Sequence, residues 1–157
     1  MALPKEYIGT IVIGASSDTD DSTGQVTERY APITLEPNVV ENAFSEFRGE
    51  IQQTPPMYSA IKIKGERLYK LARQGKKIHR EPRTVTIHEL KLLDLREAEM
   101  DVLVRCSKGA YIRALARDIG KALNSGGYLH QLRRTKIGEY DIKNAFTIDG
   151  FIERLVN

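Results

Sequence analysis

Cations dominate the side chains of this sequence that could do chemistry, and they are segregated along it. Residues 61–83 hold nine basic and two acidic side chains, and residues 105–136 hold eight basic and one acidic, so each block carries a net charge of +7. Residues 1–60 run the other way, with three basic and nine acidic side chains and a net of −6. The overall charge of +3 therefore conceals two basic blocks separated by a stretch that is not basic. Either block alone could be a solvated lysine-rich surface. Together they favour a polyanion lying across the fold, and nucleic acid is the polyanion that such patterning suits.

Other chemistries fit less well. One cysteine and three histidines form no metal-ligand cluster of recognisable spacing. Cys106 closes an apolar run with no histidine near it in sequence. A buried structural thiol is the expectation there, and a nucleophile is not. A single cysteine also suits a reducing cytoplasm. No apolar run approaches the roughly 20 residues that span a bilayer, and Met1–Tyr7 lacks the apolar core of a signal peptide. Taken alone, Asp18–Asp21 in its Ser/Thr/Asp/Gly setting is a turn former, and Tyr7 at a strand start is a packing residue.

The elements that must position these groups are legible in outline. With 157 residues the chain suits one domain with a core of its own. Residues 7–13 alternate as a strand, and 15–24 form a polar loop. Thr34 is expected to cap a helix running to about Phe47, with Gly49 as its stop. Pro55-Pro56 forces an extended backbone. Residues 59–63 suggest a short strand turning at Lys64-Gly65, then a helix over 66–73 closed by Gly75. Strands are expected over 84–95, 100–106 and 129–137, an amphipathic helix over 111–123, and a last helix over 148–155. Strands mixed with helices, without a βαβ rhythm, imply an α+β fold around a mostly antiparallel sheet flanked by helices.

Four ordered segments carry a resemblance. They are Lys5-Glu-Tyr7 with Asp18-Thr-Asp-Asp21 and Gly24; Pro55-Pro-Met-Tyr-Ser-Ala-Ile-Lys62 with Gly65-Glu-Arg-Leu-Tyr-Lys-Leu-Ala-Arg73; Cys106-Ser-Lys-Gly-Ala-Tyr-Ile-Arg113 through Asp118 and Gly120; and Leu132-Arg-Arg-Thr-Lys-Ile-Gly138. The set resembles the tRNA pseudouridine-55 synthases of the TruB type, over essentially the whole chain. That likeness implies a pseudouridine synthase-like catalytic domain, here partial, with an RNA cleft across its sheet. It implies isomerisation of a uridine to pseudouridine in the T-loop of tRNA, with no metal and no cofactor. The uridine must leave the RNA stack to be reached. The family's aspartate carboxylate then acts on it by attack on the sugar, attack on the base or removal of the C2′ proton.

The resemblance also assigns roles. Tyr7 matches the tyrosine that stacks on the flipped base. Arg113 matches the arginine that pairs with the catalytic carboxylate, which a planar fork can orient and hold ionised. Asp21 matches the aspartate on that arginine's other side, Tyr111 a pocket tyrosine suited to removing the C5 proton, and Leu132 an apolar lining residue. Residues of about 57–83 match an insertion that clamps the RNA stem-loop. There Lys62, Lys64, Arg67, Lys70 and Arg73 would meet phosphates, as would Arg133 and Arg134 near the pocket. Tyr58 and Tyr69 are expected to pack beneath that insertion, with stacking on nucleotides as the alternative.

One piece of the pattern is missing. No Gly-Thr-Leu-Asp-Pro type stretch, which carries the family's catalytic aspartate, occurs in the sequence. The chain is therefore expected to be an incomplete catalytic domain over residues 1–157, without a C-terminal PUA-type domain and inactive alone. Exposed apolar surface is expected to favour self-association or pairing with a missing N-terminal segment. The alternative is a non-catalytic RNA-binding or RNA-folding module derived from the same family.

Overall fold

The computed structural model describes residues 2–156, and its strands follow the alternation of the sequence. In chain order the elements are β1 (Lys5–Ile13), β2 (Ala15–Ser17), β3 (Val26–Arg29), α1 (Pro37–Ser45), β4 (Gly49–Gln53), β5 (Lys62–Ile63), β6 (Glu66–Arg67) and α2 (Leu68–Arg73). After these come β7 (Arg83–Arg96), β8 (Glu99–Cys106), α3 (Ile112–Ala122), β9 (Gly127–Ile137), β10 (Tyr140–Asp141) and α4 (Ile148–Val156). Six strands pair in the order β10-β9-β1-β8-β7-β4, and every ladder in that sheet is antiparallel. β1 lies at its centre, between β8 and β9. The expected α+β architecture is the one observed.

Alternation sorts each central strand into an inward and an outward set. β1 turns Ile11 and Ile13 inward, β7 turns Val85, Ile87 and Leu90, and β8 turns Met100, Val102, Val104 and Cys106. α3 meets them with a stripe of Ile112, Leu115, Ala116 and Ile119, and α1 adds Val40 and Phe44. Each large aliphatic side chain buried this way contributes roughly 1.5–3 kcal/mol. This one cluster is the scaffold on which the functional side chains stand.

Three local readings are corrected. α1 begins at Pro37, not at Thr34, and Glu36 is its N-cap residue. Proline has no N–H for a helix interior and forces the residue before it to be extended, so the helix can only start there. The polar loop after β1 contains β2, which pairs with β3 as a small separate sheet. The helix expected over 66–73 is shorter, because Glu66–Arg67 pairs with Lys62–Ile63 across Lys64 and Gly65. Both turn residues have positive φ, 50° and 86°, which is the two-residue hairpin geometry that matches strand twist.

α4 contributes nothing to the core. None of its residues is buried, and Ile148 and Leu155 are 80% and 71% exposed.

α3 lies against the start of β9 at a distance that only glycine permits. A Cβ on Gly120 would stand 2.3 Å from the Gly127 nitrogen and 2.5 Å from the Gly126 carbonyl carbon. Two effects compete in Gly120→Ala. Alanine gains about 1 kcal/mol of helix propensity, while forcing helix from strand costs roughly 1–3 kcal/mol. The obstruction is backbone and cannot rotate away, so the clash should win. Gly120→Ala is expected to lower the urea unfolding midpoint by the equivalent of about 1–2 kcal/mol. An unchanged or raised midpoint would contradict this packing.

Candidate active site

The loop after β2 is built around one carboxylate. Asp21 Oδ1 accepts from Thr19 Oγ1 at 2.7 Å, from the Thr23 N–H at 3.0 Å and from Thr23 Oγ1 at 2.5 Å. Those three donors fix the side chain within its own loop and leave Oδ2 pointing away from it. The Ser17 hydroxyl donates to the Asp21 carbonyl at 2.6 Å. Asp20 adopts a left-handed φ of 60°, and the Leu129 N–H bonds its carbonyl at 3.0 Å, which docks the loop on β9. Burial raises the Asp21 carboxyl, but the two threonines and the Arg113 charge outweigh it, and the net direction is downward.

Arg113 takes the free oxygen. It lies one residue into α3, where a helical side chain projects back past the N-terminal end. Its Nη1 donates to Asp21 Oδ2 at 3.3 Å and to the Thr19 carbonyl at 3.2 Å, and its Nη2 donates to the Tyr58 carbonyl at 2.9 Å. A guanidinium has five N–H donors. The Nε–H and one Nη2–H of Arg113 have no partner among the described residues. Arg113 also borders two hollows. One, about 270 Å³, is shared with Asp21 and Leu132. The other, about 700 Å³, is shared with Tyr58, Tyr69, Arg73 and Tyr111. The site thus offers an oriented cation with spare donors beside space for a ligand.

A second arginine, one helical turn on, supports the first. Arg117 donates to Asp118 at 2.9 Å, to Asp20 Oδ2 at 3.0 Å and to the Thr54 carbonyl at 2.8 Å. Burial lowers its guanidinium, but the bonds and charges of Asp118 and Asp20 more than reverse that. For Asp20 the balance goes the other way. Burial raises its carboxyl above the ordinary range in spite of Arg117 and Arg113. The 3.0 Å contact holds the pair together, and we take Asp20 as the charged partner of Arg117. Sequence reading overlooked this pair, although Arg113 and Arg117 at i and i+4 share a helix face. It also overlooked Gln53, whose buried side chain bonds the Tyr111 backbone.

The remaining expected residues divide. Leu132 shares a hollow with Arg113 and Asp21, and Tyr111 shares one with Arg113 and Arg73. Tyr7 stands elsewhere. It is opposite Val104 and Arg134, packs against the core and borders neither hollow. Burial raises its hydroxyl, and Arg134 opposes that through hydrogen bonding and charge. Lys62, Lys64, Arg67, Lys70, Arg73, Arg133 and Arg134 are all exposed. The Arg67 and Arg73 guanidinium groups lie 6.0 and 5.5 Å from the Tyr69 ring, so that tyrosine braces two cations of the 61–83 basic block. Burial pushes the Cys106 thiol up to about 11, which makes it a poor nucleophile. No described helix is long and apolar enough to cross a membrane.

Comparison with known proteins follows the same lines. Residues 1–112 match the model of the TruB family pseudouridylate synthase N-terminal domain, and residues 113–156 match the tRNA pseudouridylate synthase B C-terminal domain. The chain is 47% identical over 146 residues to a tRNA pseudouridine synthase B of Francisella philomiragia, covering 92% of this chain and 48% of that protein. It is 45% identical over 154 residues to the one of Aquifex aeolicus, covering 97% and 53%. It therefore spans about half the length of these curated relatives. Among solved structures, a Cbf5-Nop10-Gar1 complex matches with a TM-score of 0.68 at 23% identity, over 97% of this chain and 36% of that one. That likeness extends to the fold.

The Asp21 environment has a pH signature. A carboxyl held below its ordinary value of 3.8 adds stability that is present above that value and is lost as pH falls through the folded-state value. Asp21→Asn is expected to be less stable than the parent chain near pH 7, with the gap closing below about pH 4. Urea unfolding of both proteins across that range is the check. A gap that persists undiminished in acid would rule out a charge-based role.

Proposed function

The chain belongs to the TruB family of pseudouridylate synthases, and from that membership we propose that it supplies the RNA clamp and one wall of the pocket of a tRNA pseudouridine synthase. The substrate is a uridine in the T-loop of tRNA, at position 55, and the setting is the cytoplasm. The carrying observation is Arg113, which Asp21, Thr19 and Tyr58 hold in place while two of its donors stay unpartnered among the described residues. A planar cation so fixed is suited to orienting a second carboxylate and keeping it ionised.

On this reading the uridine flips out of its stack and enters beside Arg113. The aspartate that reacts with it comes from polypeptide beyond these residues, since the sequence has no Gly-Thr-Leu-Asp-Pro type motif. Tyr111 takes the C5 proton after the uracil has rotated and the new carbon–carbon bond has formed. Leu132 gives the hollow an apolar side, and Tyr7 is the tyrosine assigned to stack on the base. Lys62, Lys64, Arg67, Lys70 and Arg73 close over the stem-loop through its phosphates, and Arg133 and Arg134 add contacts near the pocket. The apolar face of α4 is a surface on which the missing polypeptide, or a second copy, would pack.

A second reading rests on the missing aspartate motif: a non-catalytic RNA-binding or RNA-folding module. One experiment separates the two. The chain is mixed with unmodified tRNA labelled with tritium at uridine C5, with and without a polypeptide carrying the aspartate motif. Tritium release only with the added polypeptide supports the synthase. Binding without release in either case supports the binding module, and absence of binding overturns both. Where release occurs, Arg113→Lys is expected to slow it roughly 100-fold or more with tRNA affinity unchanged. A point charge cannot serve Asp21, Tyr58 and a second carboxylate in one plane. Wild-type turnover in that variant would remove Arg113 from the mechanism.

A further inference from the structure

Gln53 closes β4 and is only 2% exposed, so a polar amide is buried where it must find partners for both of its ends. Both partners belong to one residue. The Tyr111 N–H donates to Gln53 Oε1 at 2.8 Å, and Gln53 Nε2 donates to the Tyr111 carbonyl at 3.1 Å. Tyr111 is the N-cap residue of α3, with extended φ and ψ of −104° and 115°, and its own side chain makes no capping bond. An N-cap N–H has no helical acceptor. Gln53 supplies one from a strand 58 residues away. The Tyr111 carbonyl also accepts the first bond of α3, from Leu115 at 3.0 Å.

The contact does not stand alone. The carbonyl of the next residue, Thr54, accepts from Arg117, and the Tyr58 carbonyl accepts from Arg113. Residues 53, 54 and 58 are thus fastened to Tyr111, Arg117 and Arg113, at the start and first turns of α3. The same residues lead into the basic insertion.

We propose that Gln53 is a positioning residue of the pocket: by gripping the Tyr111 peptide at both N–H and carbonyl, it sets where α3 begins and hence where the Tyr111 and Arg113 side chains stand. The assignment rests on the reading of Arg113 and Tyr111 as parts of the reacting pocket. Misplacement of about 1 Å at such a site can cost on the order of 100-fold in rate, and a helix start free to shift would produce that. Gln53 touches neither hollow, so it acts only through the backbone of Tyr111.

Two variants and two readouts test this. Gln53→Met keeps the volume and loses both bonds; Gln53→Glu keeps the acceptor and, once ionised, loses the donor. The first readout is hydrogen exchange at the Tyr111 amide of this chain, followed by NMR, which requires no enzymatic activity. Exchange should accelerate about 10-fold or more in the Met variant, while the β4 amides paired with β7 keep their protection. Unchanged exchange at Tyr111 overturns the grip. The second readout is tritium release in the mixture with the aspartate-bearing polypeptide. There kcat should fall about 10- to 100-fold with tRNA affinity unmoved. Faster exchange with parental kcat overturns positioning and leaves Gln53 a structural part. A parent chain that binds tRNA and releases no tritium overturns the synthase reading, and the exchange data still decide the grip. If the Met variant does not fold, the Glu variant decides alone. While ionised, its carboxylate repels the Tyr111 carbonyl and loosens the pairing, and protonation restores a donor there, so protection of Tyr111 should climb toward the parental level as pH falls through the carboxyl's titration. A pH-independent deficit would count against the two-bond grip.

Discussion

A planar cation that is half withdrawn from water must have its acceptors delivered in its own plane, and Arg113 imposes that demand on two distant parts of the chain. Asp21 lies 92 residues before it and Tyr58 lies 55 before it. Neither can reach the guanidinium unless β9 carries the loop that bears Asp21 and β4 ends beside the first turn of α3. The glycines at 120 and 127 serve the same demand from the other side, since they let α3 come close enough to β9 for the loop and the helix to meet. Much of the fold outside the core can be understood as support for one side chain.

Two adjacent aspartates show how fine that support is. Asp20 and Asp21 share a loop and each faces an arginine, yet their carboxyls are pushed in opposite directions. Asp20 is the more buried and has fewer donors of its own, so desolvation prevails. Asp21 receives three donors from Thr19 and Thr23, and these outweigh its burial. Asp21 therefore presents a firm negative charge to Arg113. Asp20 serves mainly to hold Arg117, which in turn ties the helix to Thr54. The inner pair sets the charge, and the outer pair holds it in place.

What was legible in the sequence was what periodicity and motif order encode. The central strands and α3 declare themselves by their apolar spacing, and the ordered motifs pointed to Asp21, Tyr111, Arg113 and Leu132, which gather around two adjoining hollows. The α1 start was misplaced because a plausible cap at Thr34 distracted from Pro37, whose covalent ring decides the matter. Tyr7 is instructive in another way. Its motif was readable, but an inward position on a central strand packs it beside Arg134, and no sequence pattern reports a rotamer. Gln53 was invisible for a third reason. A glutamine at the end of a strand reads as a surface residue, and only the meeting of β4 with α3 turns its amide into a bracket for a peptide bond.

The lone cysteine gives the core a built-in reporter. Cys106 ends β8 opposite Lys5 of β1 on one side and Ile87 of β7 on the other, fully enclosed and strongly protonated. A thiol-specific label cannot reach it while those three strands stay together. The rate at which such a label attaches therefore counts how often the middle of the sheet opens, with no mutation and no background from a second thiol. The residue least suited to chemistry in the native protein becomes a clock for the breathing of its sheet.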